Sequence, residues 1–162
     1  MPDTKTAKLS TTQIAGNGPF TVHGIVEISM DGPLMHYQGR GPFNKELVDL
    51  MGIAQRDYLL SIRPQGNWVS VCTMVESAMT SREGLARYAE IMASPKPDNM
   101  VPIATAFVIG PEIEGGRLMA PLYAKIYADI GRPFALFETM PEALKWAQAM
   151  IDAASTGKPA PT

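Results

Sequence analysis

Trp68-Val69-Ser70-Val71-Cys72-Thr73-Met74-Val75 and Val101-Pro102-Ile103-Ala104-Thr105-Ala106-Phe107-Val108-Ile109 decide the fold of this 162-residue chain. Both runs are nearly unbroken in apolar and β-branched residues, whereas a strand wetted on one face alternates apolar with polar positions. Each reads as a strand sheltered on both faces, and the two are expected to lie parallel in one sheet. Between them, Thr80 and Glu83 make a capping-box pattern. Leu85, Tyr88/Ala89 and Met92 then recur at helical spacing, before the loop Pro95-Lys96-Pro97-Asp98-Asn99.

Upstream, Val22 to Ser29 is a short β-branched run, Asp31-Gly32 is a hairpin turn signal, and Leu34 to Gln38 is the returning strand. Gly39-Arg40-Gly41-Pro42-Phe43-Asn44 breaks it. Asn44 is a good N-cap for a helix carrying Leu47, Leu50/Met51, Ala54 and Tyr58 on one face, which Arg63-Pro64-Gln65-Gly66-Asn67 ends.

Downstream, Gly110-Pro111 ends the second run and Glu112-Ile113-Glu114-Gly115-Gly116-Arg117 follows. A helix is expected with Leu118, Leu122, Ile126 and Ile130 inward. Pro121 cannot donate within a helix, so the helix begins near it or bends there. Gly131-Arg132-Pro133 stops that helix, and Phe134 to Phe137 is a short strand. Thr139 and Glu142 form a second capping box before a helix that buries Ala143/Leu144, Ala147 and Met150/Ile151, with Trp146 on a flank. A hairpin followed by alternating helices and strands predicts an α/β fold, with a mostly parallel sheet of four to five strands and helices packed on it.

One folded unit is expected over 20–154. Residues 1–19, rich in Thr, Ser, Gly and Asn, and 155–162, rich in small residues and Pro, read as flexible tails. Hydrophobic residues make up 46% of the chain, enough for a core without staples. Fourteen Lys and Arg stand against sixteen Asp and Glu, with no basic block, which argues against nucleic acid as a partner. The apolar stretches are too short or too polar to span a bilayer, and no apolar run follows the first lysines as in a secretory signal. A cytoplasmic location and no membrane partner are the expectation. One cysteine excludes an internal disulfide and a Cys-based metal cage.

Arg132-Pro133-Phe134-Ala135-Leu136-Phe137-Glu138 followed by Glu142-Ala143-Leu144-Lys145-Trp146 resembles the closing strand and Ala-x-x-Trp helix of STAS-like (SpoIIAA-like) domains. Gly41-Pro42-Phe43-Asn44 and Glu112-Ile113-Glu114-Gly115 are similar to an uncharacterised bacterial branch of that group. The likeness covers about 22–152. It implies a non-enzymatic module for protein interaction or ligand sensing, with no catalytic residues and no cofactor. Related lipid-transfer domains hold apolar ligands. In the anti-sigma-factor antagonists a phosphorylatable Ser opens the helix after a central strand, in an Asp-Ser-Ser-Gly-like context. Here that place reads Glu76-Ser77-Ala78-Met79-Thr80-Ser81, without the Asp and Gly, and helix capping is the simpler role for Ser77, Thr80 and Ser81.

Three segments, Gly39–Asn44, Glu76–Thr80 and Gly110–Arg117, each follow a strand and open a helix. In a parallel sheet they gather at the rim outside the strand C-termini, where open α/β folds bind ligands. Arg40, Asn44, Glu76, Ser77, Glu112, Glu114 and Arg117 are the candidate ligand- or partner-binding residues there. His23 and His36 fall on opposite hairpin arms but lack a third metal ligand of matching spacing. Cys72, mid-strand, reads as a buried, inert thiol. Met74, Met79, Met92 and Met119 suit ordinary core filling or an adaptable apolar pocket.

Three functions compete. The first is a module binding another protein or a second copy of itself. The second is a carrier or sensor of a small apolar or amphipathic ligand, which needs a pocket of a few hundred Å³. The third is an enzyme using Glu112 or Glu114 as general base beside Arg117, for which no nucleophile or cofactor motif is present.

Overall fold

The computed structural model describes residues 8–14 and 20–157. Its elements are β1 (Leu9–Ser10), β2 (Ile25–Asp31), β3 (Leu34–Arg40), α1 (Lys45–Ile62), β4 (Val69–Val75), α2 (Arg82–Ala93), β5 (Ala104–Val108), α3 (Gly116–Asp129), β6 (Phe134–Phe137) and α4 (Met140–Thr156). Single 3-10 turns occupy Thr11–Gln13 and Asp98–Met100.

The six strands lie in sequence order, β1-β2-β3-β4-β5-β6. The first two pairs are antiparallel, and β3 through β6 run parallel. The two deciding runs are neighbours as expected, Val69 beside Ala104 and Thr73 beside Val108. The sheet has six strands rather than four to five because Leu9-Ser10, placed by the sequence reading in the N-terminal tail, pairs with Ile28 and Glu27. Just beyond it, the Thr11 hydroxyl accepts the Val26 N–H at 3.1 Å. At the other end α4 reaches Thr156, two residues past the expected domain boundary. Residues 1–7, 15–19 and 158–162, which that reading assigns to the tails, lie outside the described residues.

A parallel sheet that steps steadily in one direction through right-handed crossovers puts every crossover helix on the same face. Accordingly α1, α2 and α3 share one face. There Ile28, Met35 and Phe107 of the sheet meet Leu47, Met92 and Tyr127 of the helices. Among the described residues α4 is the helix on the second face, where Val69, Val71, Ala104, Ala106 and Val108 meet Ala143, Ala147 and Met150. Alanine on both sides lets α4 approach closely.

Asn44 caps α1 as expected, its Oδ1 accepting the Leu47 N–H. Both capping boxes differ from expectation. Ser81, not Thr80, caps α2 by accepting the Gly84 N–H, because Thr80 is turned inward to the Tyr123 hydroxyl. Thr139 donates to the Glu142 carboxylate at 2.6 Å and makes no side-chain bond to backbone. The phase of α3 also differs. Met119, Tyr123, Ile126 and Tyr127 face inward, leaving Leu118 62% and Leu122 40% exposed. Gly115, in the left-handed region at φ 71°, is the N-cap of α3, which begins at Gly116, five residues before Pro121, and carries that proline inside the helix. The aromatic cluster then sets the rotation. Tyr127 stacks on Phe134 with ring centroids 4.6 Å apart, and Tyr123 lies 5.1 Å from Phe107. A hydroxyl-bearing aromatic that finds a buried partner outcompetes a leucine for the inner face.

Candidate functional site

The strand C-terminal rim forms as expected, from backbone as much as from side chains. Phe43 N–H donates to the Met79 carbonyl and Ser81 N–H to the Phe43 carbonyl, at 2.8 and 3.0 Å. Ala78 N–H donates to the Glu114 carbonyl at 2.8 Å, and Glu114 N–H returns to the Glu76 carbonyl at 3.1 Å. The close pass requires Gly41. A Cβ there would stand 2.2 Å from the Ser77 carbonyl oxygen.

Most of the candidate side chains at this rim bind one another. Arg40 pairs with Glu76, which sits at a left-handed φ of 66°. The buried Ser77 hydroxyl donates to Glu114 Oε1 at 2.8 Å and accepts the Met79 N–H at 3.1 Å. Asn44 is taken up by its cap, by the His23 N–H and by the Thr21 carbonyl. Glu112 folds back over Gly110, while Arg117 is exposed and makes no ion pair among the described residues. Glu112 and Glu114 therefore point to different partners, and Arg117 joins neither. The rim is a set of mutually satisfied caps and bridges, beside an open hollow of about 280 Å³ between Gly110, Arg117 and Leu136.

The more distinctive site lies beneath the rim, between the sheet and the α1–α3 layer. A cavity of about 80 Å³ is walled by Val26, Phe43, Leu47, Met51, Met74 and Phe107, among other apolar groups. Met74 and Met92 line it. Met119 is core, and Met79 packs against Gly115. Cys72 on β4 and Tyr88 on α2 both border this space and are half-buried. Burial pushes the Cys72 thiol up, so it stays protonated and is no nucleophile.

The same wall carries polar groups that the sequence reading did not single out: Ser70, Thr105, Tyr88, Tyr127, Gln55 and Arg132. Ser70 and Thr105 are register neighbours on β4 and β5. Thr105 is 1% exposed, and its Oγ1 has no hydrogen-bond partner among the described residues. The Tyr127 hydroxyl lies near it but outside bonding geometry, and pairs instead with the Tyr88 hydroxyl at 2.5 Å. Burial raises the Tyr88 and Tyr127 pKa values and pushes Tyr123 up to about 12, so all three phenols are neutral donors.

Arg132 borders the cavity. Its guanidinium lies 5.7 Å from the Tyr127 ring centroid, and Nη1 is 3.9 Å from Met92 Sδ. It makes no ion pair among the described residues. Lys96 lies nearby. Burial, then the Arg132 charge, lowers its pKa, and its Nζ donates to the Ile91 and Ser94 carbonyls at 2.5 and 3.1 Å. Gln55 borders both the cavity and an outer groove of about 470 Å³ between α1 and α2. The sequence signal that marks this site is a threonine inside the otherwise apolar run Ala104–Val108.

His36 sits opposite Ser29, and His23 lies before β2, so the two histidines are not cross-strand neighbours. Burial lowers the His36 pKa against the pull of Asp31. Among the described residues no three His, Cys, Asp or Glu side chains converge as a metal site, and no helix is long and apolar enough to cross a membrane. No family model, curated protein or solved structure matches this chain.

Proposed function

We propose that this chain is a non-enzymatic, STAS-like binding module that holds a small amphipathic molecule between its sheet and the α1–α3 layer. The observation that carries the reading is the internal cavity with an unpartnered, buried Thr105 hydroxyl on its wall. A buried polar group without a partner costs free energy that a ligand atom recovers. Methionines on both walls, Met74 on β4 and Met51 and Met92 on the helices, adapt to different shapes. The cavity lies inside the fold rather than at the rim, and at about 80 Å³ it falls short of the few hundred Å³ that the sequence reading required of a carrier, so the ligand proposed is restricted to one of only a few carbon atoms. The outer groove past Gln55 is its route in.

Protein interaction, the other role implied by the STAS resemblance, finds less support. Leu118 and Leu122 are exposed on one flank of α3, while Leu136 borders Arg117 and Ala120 on another. Scattered apolar side chains do not make an interaction patch.

The test is an amide chemical-shift titration with n-butanol, a neutral amphipathic probe of suitable size. Shifts centred on Ser70, Cys72, Thr105 and Tyr127 support the reading. No shifts, or shifts at Leu60, Leu118 and Leu122 alone, overturn it.

A further inference from the structure

Resting on that reading, we infer that the cavity selects a small monocarboxylate, with its carboxylate on the Arg132 guanidinium and the Thr105 hydroxyl and its short hydrocarbon body against Met51, Met74 and Met92. Arg132 is half-buried and always charged, with five donors, and its side-chain contacts are a thioether and an aromatic ring. Neither satisfies a guanidinium. A planar carboxylate matches its fork geometry and supplies the missing counter-charge.

Lys96 does not substitute for it, since its ammonium is already held by the carbonyls at the end of α2. The local chain keeps Arg132 near Thr105. Thr105 N–H donates to the Pro133 carbonyl at 3.0 Å, and Arg132 N–H donates to the Tyr127 carbonyl at 3.1 Å. Both side chains also border Tyr127, the guanidinium 5.7 Å from its ring centroid and the Thr105 hydroxyl near its phenol oxygen. Size limits the body. The cavity, at about 80 Å³, has roughly half the ~150 Å³ that accepts benzene in an apolar protein interior. A chain of about four carbons is the upper size unless the methionines move.

Titration calorimetry with n-butyrate and n-butanol, which share a four-carbon body, tests the assignment. Wild-type protein is expected to bind butyrate roughly 10- to 100-fold tighter than butanol, as a charge-assisted hydrogen bond provides. Arg132→Gln is expected to abolish that preference by weakening butyrate binding at least about 10-fold. Arg132→Met, which keeps an apolar stem beside Tyr127, serves if the glutamine variant fails to fold. Equal affinity for the two probes in wild type overturns the carboxylate assignment and leaves the cavity reading standing. Binding of neither probe overturns both. Retention of the butyrate preference in the Arg132 variants overturns the role of Arg132.

Discussion

Thr105→Val is the most informative single change in this protein, because it asks whether a buried hydroxyl stands alone. Valine keeps the β-branched shape that suits β5 and replaces Oγ1 with a methyl group. The threonine is 1% exposed and its Oγ1 lacks a partner. Leaving such a hydroxyl unsatisfied costs about 1–3 kcal/mol, and the added methyl contributes about 0.8 kcal/mol on burial. A net stabilisation of about 2–4 kcal/mol is therefore expected, equivalent to about 6–12 °C in Tm for a domain of this size. Urea unfolding followed by circular dichroism reads it as a rise in midpoint at constant slope. Thr11→Val supplies the contrast. Thr11 is also buried, but its hydroxyl accepts the Val26 N–H, so the same substitution should cost about 1–2 kcal/mol. Opposite signs at the two sites are the signature. If Thr105→Val destabilises as Thr11→Val does, the hydroxyl has a partner and the polar argument for a ligand collapses.

Other expectations follow from the packing. Leu118→Ala and Leu122→Ala should each change stability by less than about 0.5 kcal/mol, whereas Tyr127→Ala should cost about 3–5 kcal/mol; chemical denaturation of the three variants checks the phase of α3. Gly41→Ala forces a Cβ against the Ser77 carbonyl and should cost about 1–3 kcal/mol, with amide shifts spreading through Ser77–Thr80. Burial alone would raise the Asp49 carboxyl, but hydrogen bonds from Lys45 and Arg87 hold it below the usual range. Its contribution is present above the ordinary carboxylate pKa and is lost as pH falls through the lowered folded value. Because the pairs are partly exposed, Asp49→Asn should cost at most about 1 kcal/mol at pH 7, and the difference from wild type should shrink in urea titrations at pH 2–3.

Several elements were legible because a local cause determines them. Asn44 before a helical repeat marked the start of α1, and the two-sided runs marked β4 and β5 as inner strands. The rim loops were legible for the same reason, since parallel strands bring their C-terminal ends to one edge. The inward face of α3 was not legible. Leu118 and Leu122 match the helical period as well as Met119 and Tyr123 do. Only the sheet-borne rings of Phe107 and Phe134 distinguish them. Nor was β1, because two residues carry no periodicity and their strand character comes from the exposed edge of β2.

The chemistry of the rim separates in the same way. Arg40, Glu76, Ser77 and Glu114 were correctly gathered at one edge, but proximity made them partners of one another. Thr105 and Arg132 lie 27 positions apart in the chain, with nothing in their spacing to connect them. Alternation of strand and helix, the parallel core and the caps are consequences of nearest-neighbour preferences and hydrophobic period, which a linear sequence carries. The cavity, its orphaned hydroxyl and its unpaired cation depend on which side chains fail to meet after three helices have packed. That outcome belongs to three-dimensional space alone, because a void is defined by the distance between surfaces and not by any residue that lines it.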